Sequence, residues 1–112
     1  MATKNRIVLT DGSGRYFDAD KAQSWDEGTR WDGRNHISKA SGSQWEHEAL
    51  YRTEGGVYVL HHWSQWQGSN ESYEEVTAEE AAAWLSKNEH TIDDATNAGP
   101  EVATAFAALE IA

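Results

Sequence analysis

The chain has 112 residues, with nine basic side chains against nineteen acidic ones and no cysteine. That length suits one domain over residues 1–112, and the lack of cysteine excludes disulfides, thiol nucleophiles and Cys-based zinc sites. A net charge of −10 repels nucleic acid and most membranes and attracts basic partners.

The opening residues, "MATKNRIVLT", hold no long apolar run, so neither a secretory signal nor a membrane span is expected and the cytoplasm is the expected location. Arg6–Thr10 is aliphatic and β-branched, "DGSG" follows, and Tyr16-Phe17 returns, which reads as a hairpin over residues 5–18. Gly12 and Gly14 supply the reversal; without the lysine that completes a phosphate loop, "GSG" reads as a turn. Residues 19–46 are mixed. Asp18 or Asp20 can cap a helical turn around Lys21–Trp25, and Trp25, Trp31 and Trp45 are expected to pin the stretch to the core.

The clearest element is Ala49–Thr53, "EGG", then Val57–Trp63, a hairpin through Gly55-Gly56. "NESYEEVT" returns as a further strand through Tyr73 and Val76. Thr77-Ala78-Glu79-Glu80 is a capping box, with Val76 and Ala81 placed as a hydrophobic staple. Ala81, Trp84 and Leu85 then share the inner face of a helix that stops near Asn88. Residues 89–99 read as a linker, and Pro100 opens a last helix with Val102, Ala105, Phe106 and Leu109 facing inward. The expected fold is α+β: a small antiparallel sheet of two hairpins plus a return strand, with two helices packed on one side.

Chemistry concentrates in "HHWSQWQGS", His61–Ser69. Alternate strand residues share a face, so His61 and His62 point apart and cannot jointly grip a metal. No metal or cofactor is expected. Ser64 lacks the signs of an activated nucleophile, and Glu79-Glu80 is explained by the cap and the helix dipole, so no catalytic residue is expected. Trp63 and Trp66 are choices between core, protein interface and ligand platform. The charge is asymmetric. Residues 71–112 hold Lys87 against ten acids, among them Glu71, Glu74, Glu75, Glu79 and Glu80, which are expected to form one negative face.

"LYRTEGGVYVL", Trp63–Ser69 and "EEAAAWL", in that order, resemble a group of small, uncharacterised bacterial proteins of plasmids, prophages and other mobile elements. The resemblance spans about residues 15–88 and implies fold and genomic setting, with no activity to carry over. Charge and setting together suggest a non-enzymatic protein-binding module. It would be a nucleic-acid mimic that inhibits a basic host defence nucleoprotein, in the manner of an anti-CRISPR protein. The expected partner-binding residues are Trp63, Gln65, Trp66, Gln67, Glu71, Glu74, Glu75, Glu79 and Glu80, with no direct nucleic-acid or membrane contact. Antitoxin and accessory roles stay open. A small-ligand or carbohydrate-binding module using Trp63 and Trp66 is the alternative, and an enzyme comes third.

Overall fold

The computed structural model describes residues 6–65 and 71–111, and among them the chain is α+β, with eight strands in antiparallel sheets and three helices. β1 (Arg6–Val8) and β2 (Tyr16–Asp18) form the first hairpin, with Ile7 opposite Phe17. Asp18 caps a 3-10 turn over Ala19–Lys21 by accepting from the Asp20 amide. The helical turn expected to reach Trp25 stops at Lys21, because Gln23–Asp26 is strand β3. Its Trp25 lies opposite Leu50, and burying that ring against the sheet outweighs a weak local helix preference.

β4 (Thr29–Trp31) and β5 (His36–Ser38) make a second small hairpin. Its turn is held by Asp32 Oδ1, which accepts from the amides of Asn35 (2.7 Å) and Arg34 (2.8 Å). Those two donors, Asn35 first, hold the Asp32 carboxyl below the usual carboxylate range. The hairpin is seated on the helix layer by a close backbone approach. The Gly28 amide donates to Asn88 Oδ1 at 2.9 Å, and a Cβ on Gly28 would lie 2.6 Å from the Asn88 carbonyl oxygen.

The main sheet is built on β6 (Glu46–Arg52), β7 (Tyr58–Ser64) and β8 (Ser72–Val76), in the order β3-β6-β7-β8. The β6–β7 turn falls on "EGG", with Gly56 at φ +86°, a conformation other L-residues resist. Alternation divides the side chains between two faces. Trp25, Leu50, Tyr58, Leu60 and Val76 belong to one, and Tyr51, Val59, His61, Trp63 and Tyr73 to the other.

α1 (Ala78–Lys87) starts at the expected capping box: the Glu80 amide donates to Thr77 Oγ1 at 3.1 Å, and the Thr77 amide donates to Glu80 Oε1 at 3.2 Å. The segment read as a linker is instead helical over α2 (Ile92–Ala98). Thr91 caps it by accepting from the Asp94 amide, and Ala95 and Ala98 are fully buried. α3 (Pro100–Ala107) follows, with Val102 fully buried. Leu109, expected to face inward, lies beyond the helix end and is 46% exposed. The helix layer thus holds three helices rather than two.

The helices cover the Leu50–Tyr58 face, where Leu85 and Trp84 complete the larger core. The first hairpin, expected within the main sheet, forms its own two-stranded sheet and buries Leu9 and Phe17 against Val59 on the opposite face. Thr10 ties it to the edge strand: its amide donates to the Tyr73 carbonyl (2.8 Å), and its Oγ1 accepts from the Tyr73 amide (2.9 Å). Among the described residues, no helix is long and apolar enough to cross a membrane.

Candidate functional site

His61 and His62 leave β7 on opposite faces, as strand parity requires. His61 stacks on Tyr73 (ring centroids 4.1 Å apart) and on Trp63 (4.4 Å), and its Nε2 meets Glu71 Oε2 at 2.9 Å. Trp63 also meets the His47 ring at 5.7 Å, and Tyr51 continues the row to Phe17 at 5.5 Å. Trp63 is therefore half-buried within an aromatic row across the sheet. Burial first, then the Glu71 carboxylate, pushes the Tyr73 hydroxyl up to about 12.

The other face carries a polar network beneath α1. His62 Nδ1 lies 3.2 Å from Glu48 Oε2, while Glu48 Oε1 accepts from Trp84 Nε1 at 3.0 Å. Behind it lies Glu27, whose side chain is only 12% exposed. Its Oε1 accepts from Ser38 Oγ (2.7 Å) and from the Glu48 amide (2.8 Å), and its Oε2 meets His47 Nδ1 at 2.7 Å. One carboxylate thus joins β5 to β6. At the far end of the helix layer, His90 bridges Asp94 Oδ2 (2.9 Å) and the Asp26 carbonyl (2.6 Å). Four histidines are each bonded to a carboxylate; the pairs at His47, His61 and His62 link segments ten or more residues apart, and His90 does so through the Asp26 carbonyl.

The expected single negative face is divided. Glu75 shares the Tyr73 face of β8 and takes an ion pair from Arg15 (2.6 Å), whereas Glu74 points to the opposite face, opposite Leu60. Glu71 is engaged by His61. Glu80 is exposed but holds the capping box, and Glu79 shares a shallow groove with Pro100, Glu101 and Thr104 of α3. Among the described residues, no cation pairs with Glu74, Glu79 or Glu101. These three carboxylates lie on the helix side. Trp63 faces the other way, so it does not flank these carboxylates as expected. Gln65 is exposed and its amide donates to the Trp45 carbonyl at 2.8 Å; Trp66 and Gln67 lie outside the described residues.

Of the three tryptophans expected to pin residues 19–46, only Trp25 is buried; Trp31 is 60% exposed and Trp45 42%. Trp31 leans on His36 (5.1 Å) at the end of the β4–β5 hairpin, with Arg30 and Arg34 exposed beside it. The sequence carried a signal for this arm: Asp32-Gly33 between "TRW" and "NHI" is hairpin turn chemistry.

No protein family, curated protein or solved structure matches this chain.

Proposed function

We propose that this chain is a non-enzymatic, acidic protein-binding module that presents its helix layer to a basic partner surface. One observation carries the reading. On the sheet side Glu75 pairs with Arg15 and Glu71 is hydrogen-bonded to His61, while Glu74, Glu79 and Glu101 on the helix side have no such partner among the described residues. Exposed carboxylates without counter-charges steer association with a basic surface more than they affect folding. Three of the histidine–carboxylate pairs, at His47, His61 and His62, tie neighbouring strands or their flanking residues, which favours a structural over a catalytic role for them.

The partner that fits is the basic groove of a nucleic-acid-binding protein, with carboxylates standing where phosphates would. In the cytoplasm and in a mobile-element setting, such a partner is a host defence nucleoprotein, for instance a CRISPR effector. A sugar platform on Trp63 has less support, since that ring is already engaged by His47 and His61.

The test compares the native chain with a Glu74→Gln/Glu79→Gln/Glu101→Gln variant as bait in a bacterial lysate containing such an effector. The expected capture is a basic nucleic-acid-binding protein, released by salt or by competing nucleic acid. The variant should lose it with an unchanged Tm. A partner retained equally by both baits would overturn the reading.

A further inference from the structure

Among the described residues, the polar ties between the first hairpin and the main sheet lie on one side, at β8. Thr10 bonds to Tyr73 and Arg15 pairs with Glu75, both on edge strand β8. On the other side, between β2 and the β6–β7 turn, a cleft of about 300 Å³ stays open. Its apolar lining is Leu9, Phe17, Val57 and Val59, of which all but Val57 are buried. Its polar lining includes two pairs of opposite charges, and they differ in what is already spoken for. Arg15 is committed to Glu75, and Asp18 to capping the Asp20 amide. Lys21 and Glu54 line the same cleft, are exposed, and among the described residues pair neither with each other nor with any other side chain.

An apolar floor below one free ammonium and one free carboxylate has a definite complement. It fits a small molecule with an apolar body that carries both a carboxylate, for Lys21, and an ammonium, for Glu54. The volume lies at the small end of ligand sites, about twice that of a cavity that holds benzene. We infer that this cleft binds a free hydrophobic α-amino acid, with its side chain on Val57 and Val59 and its zwitterionic head between Lys21 and Glu54. A larger peptide exceeds the volume. An uncharged apolar ligand would leave both rim charges without partners.

The experiment titrates L-phenylalanine and L-leucine separately into methyl-labelled protein and follows the Leu9, Val57 and Val59 methyl resonances. Saturable shifts confined to these methyls are expected from at least one of the two. N-acetyl-L-phenylalanine lacks the ammonium and L-phenylalaninamide lacks the carboxylate. Each should bind about tenfold or more weakly, the scale of one lost charged hydrogen bond. Lys21→Ala and Glu54→Ala alter exposed side chains, so both variants keep the fold. Each should show the same loss for the amino acid while leaving the amide or the acetyl derivative, respectively, less affected. No saturable shift from either amino acid overturns the proposal. So does binding of both blocked derivatives as tightly as the free amino acid, which would mean an apolar cleft indifferent to charge.

Discussion

Glu27 shows how much one side chain can organise. Its carboxylate satisfies the Ser38 hydroxyl, the Glu48 amide and His47 Nδ1 in a site largely closed to water. Truncation to Ala leaves three polar groups to find new partners, and His47 Nε2 is already buried without one. At about 1–3 kcal/mol per unsatisfied buried group, Glu27→Ala should cost about 3 kcal/mol or more, read as a fall in the urea midpoint. Gly28, its neighbour, is a steric counterpart. The β-carbon of Gly28→Ala meets backbone at Asn88, not the end of a flexible side chain, so the hairpin must lift from α1. A loss of about 1–3 kcal/mol is expected, and an unchanged Tm would contradict the close approach. Tyr73 predicts a pH effect. Its hydroxyl is raised from 10.0 to about 12 in the folded chain, so between those values the unfolded chain has released a proton that the folded one keeps. Stability is then full below pH 10 and falls as pH rises toward about 12. Tyr73→Phe should flatten that part of the alkaline limb in chemical denaturation.

Among the elements, those with a complete local signal were legible in the sequence. The β6–β7 hairpin has alternating apolar residues on both sides of "EGG", and α1 has its Thr77–Glu80 box. Thr77→Ala should lower stability by about 1 kcal/mol, with hydrogen exchange accelerating first in the opening turn of α1. α2 carries a similar start in Thr91 and Asp94, but it is short and its buried contribution is Ala95 and Ala98. Two alanines give no hydrophobic periodicity, so the segment reads as a linker. β3 is defined by its partner: Trp25 is held opposite Leu50 by a pairing that no local pattern encodes. The site was legible to the same extent. Strand parity alone placed His61 and His62 on opposite faces, and it also places Glu74 and Glu75 apart. What it could not supply was Arg15 arriving from the first hairpin to neutralise Glu75, or that hairpin crossing the face that carries Trp63. The first is a contact sixty residues distant in sequence, and the second rests on Leu9 and Phe17 meeting Val59, also far along the chain.

Across the whole molecule, charge and fold divide the surface differently from the sequence. The acid-rich last third supplies both faces of β8, yet Glu75 on the sheet side is paired with Arg15 while Glu74 on the helix side has no such partner among the described residues. The exposed Arg30, Trp31 and Arg34 lie on a hairpin built in the near-neutral part of the chain. The sheet itself ends at β8, and the outward amide and carbonyl of Tyr73 are both taken by Thr10. An edge strand with open hydrogen-bonding groups is a template on which further chains can add, and charged side chains are a common guard against it. Here Glu71, Glu74 and Glu75 flank the residue whose outward groups Thr10 takes. Thr10→Val keeps the backbone bond to the Tyr73 carbonyl but strips the acceptor from the Tyr73 amide. In low salt the carboxylates still hold copies apart. In high salt the screened variant should polymerise through its β8 edge, seen as growing light scattering with a cross-β signature, while the native chain stays dispersed. The attachment of the first hairpin thus also covers part of the edge along which the sheet could grow.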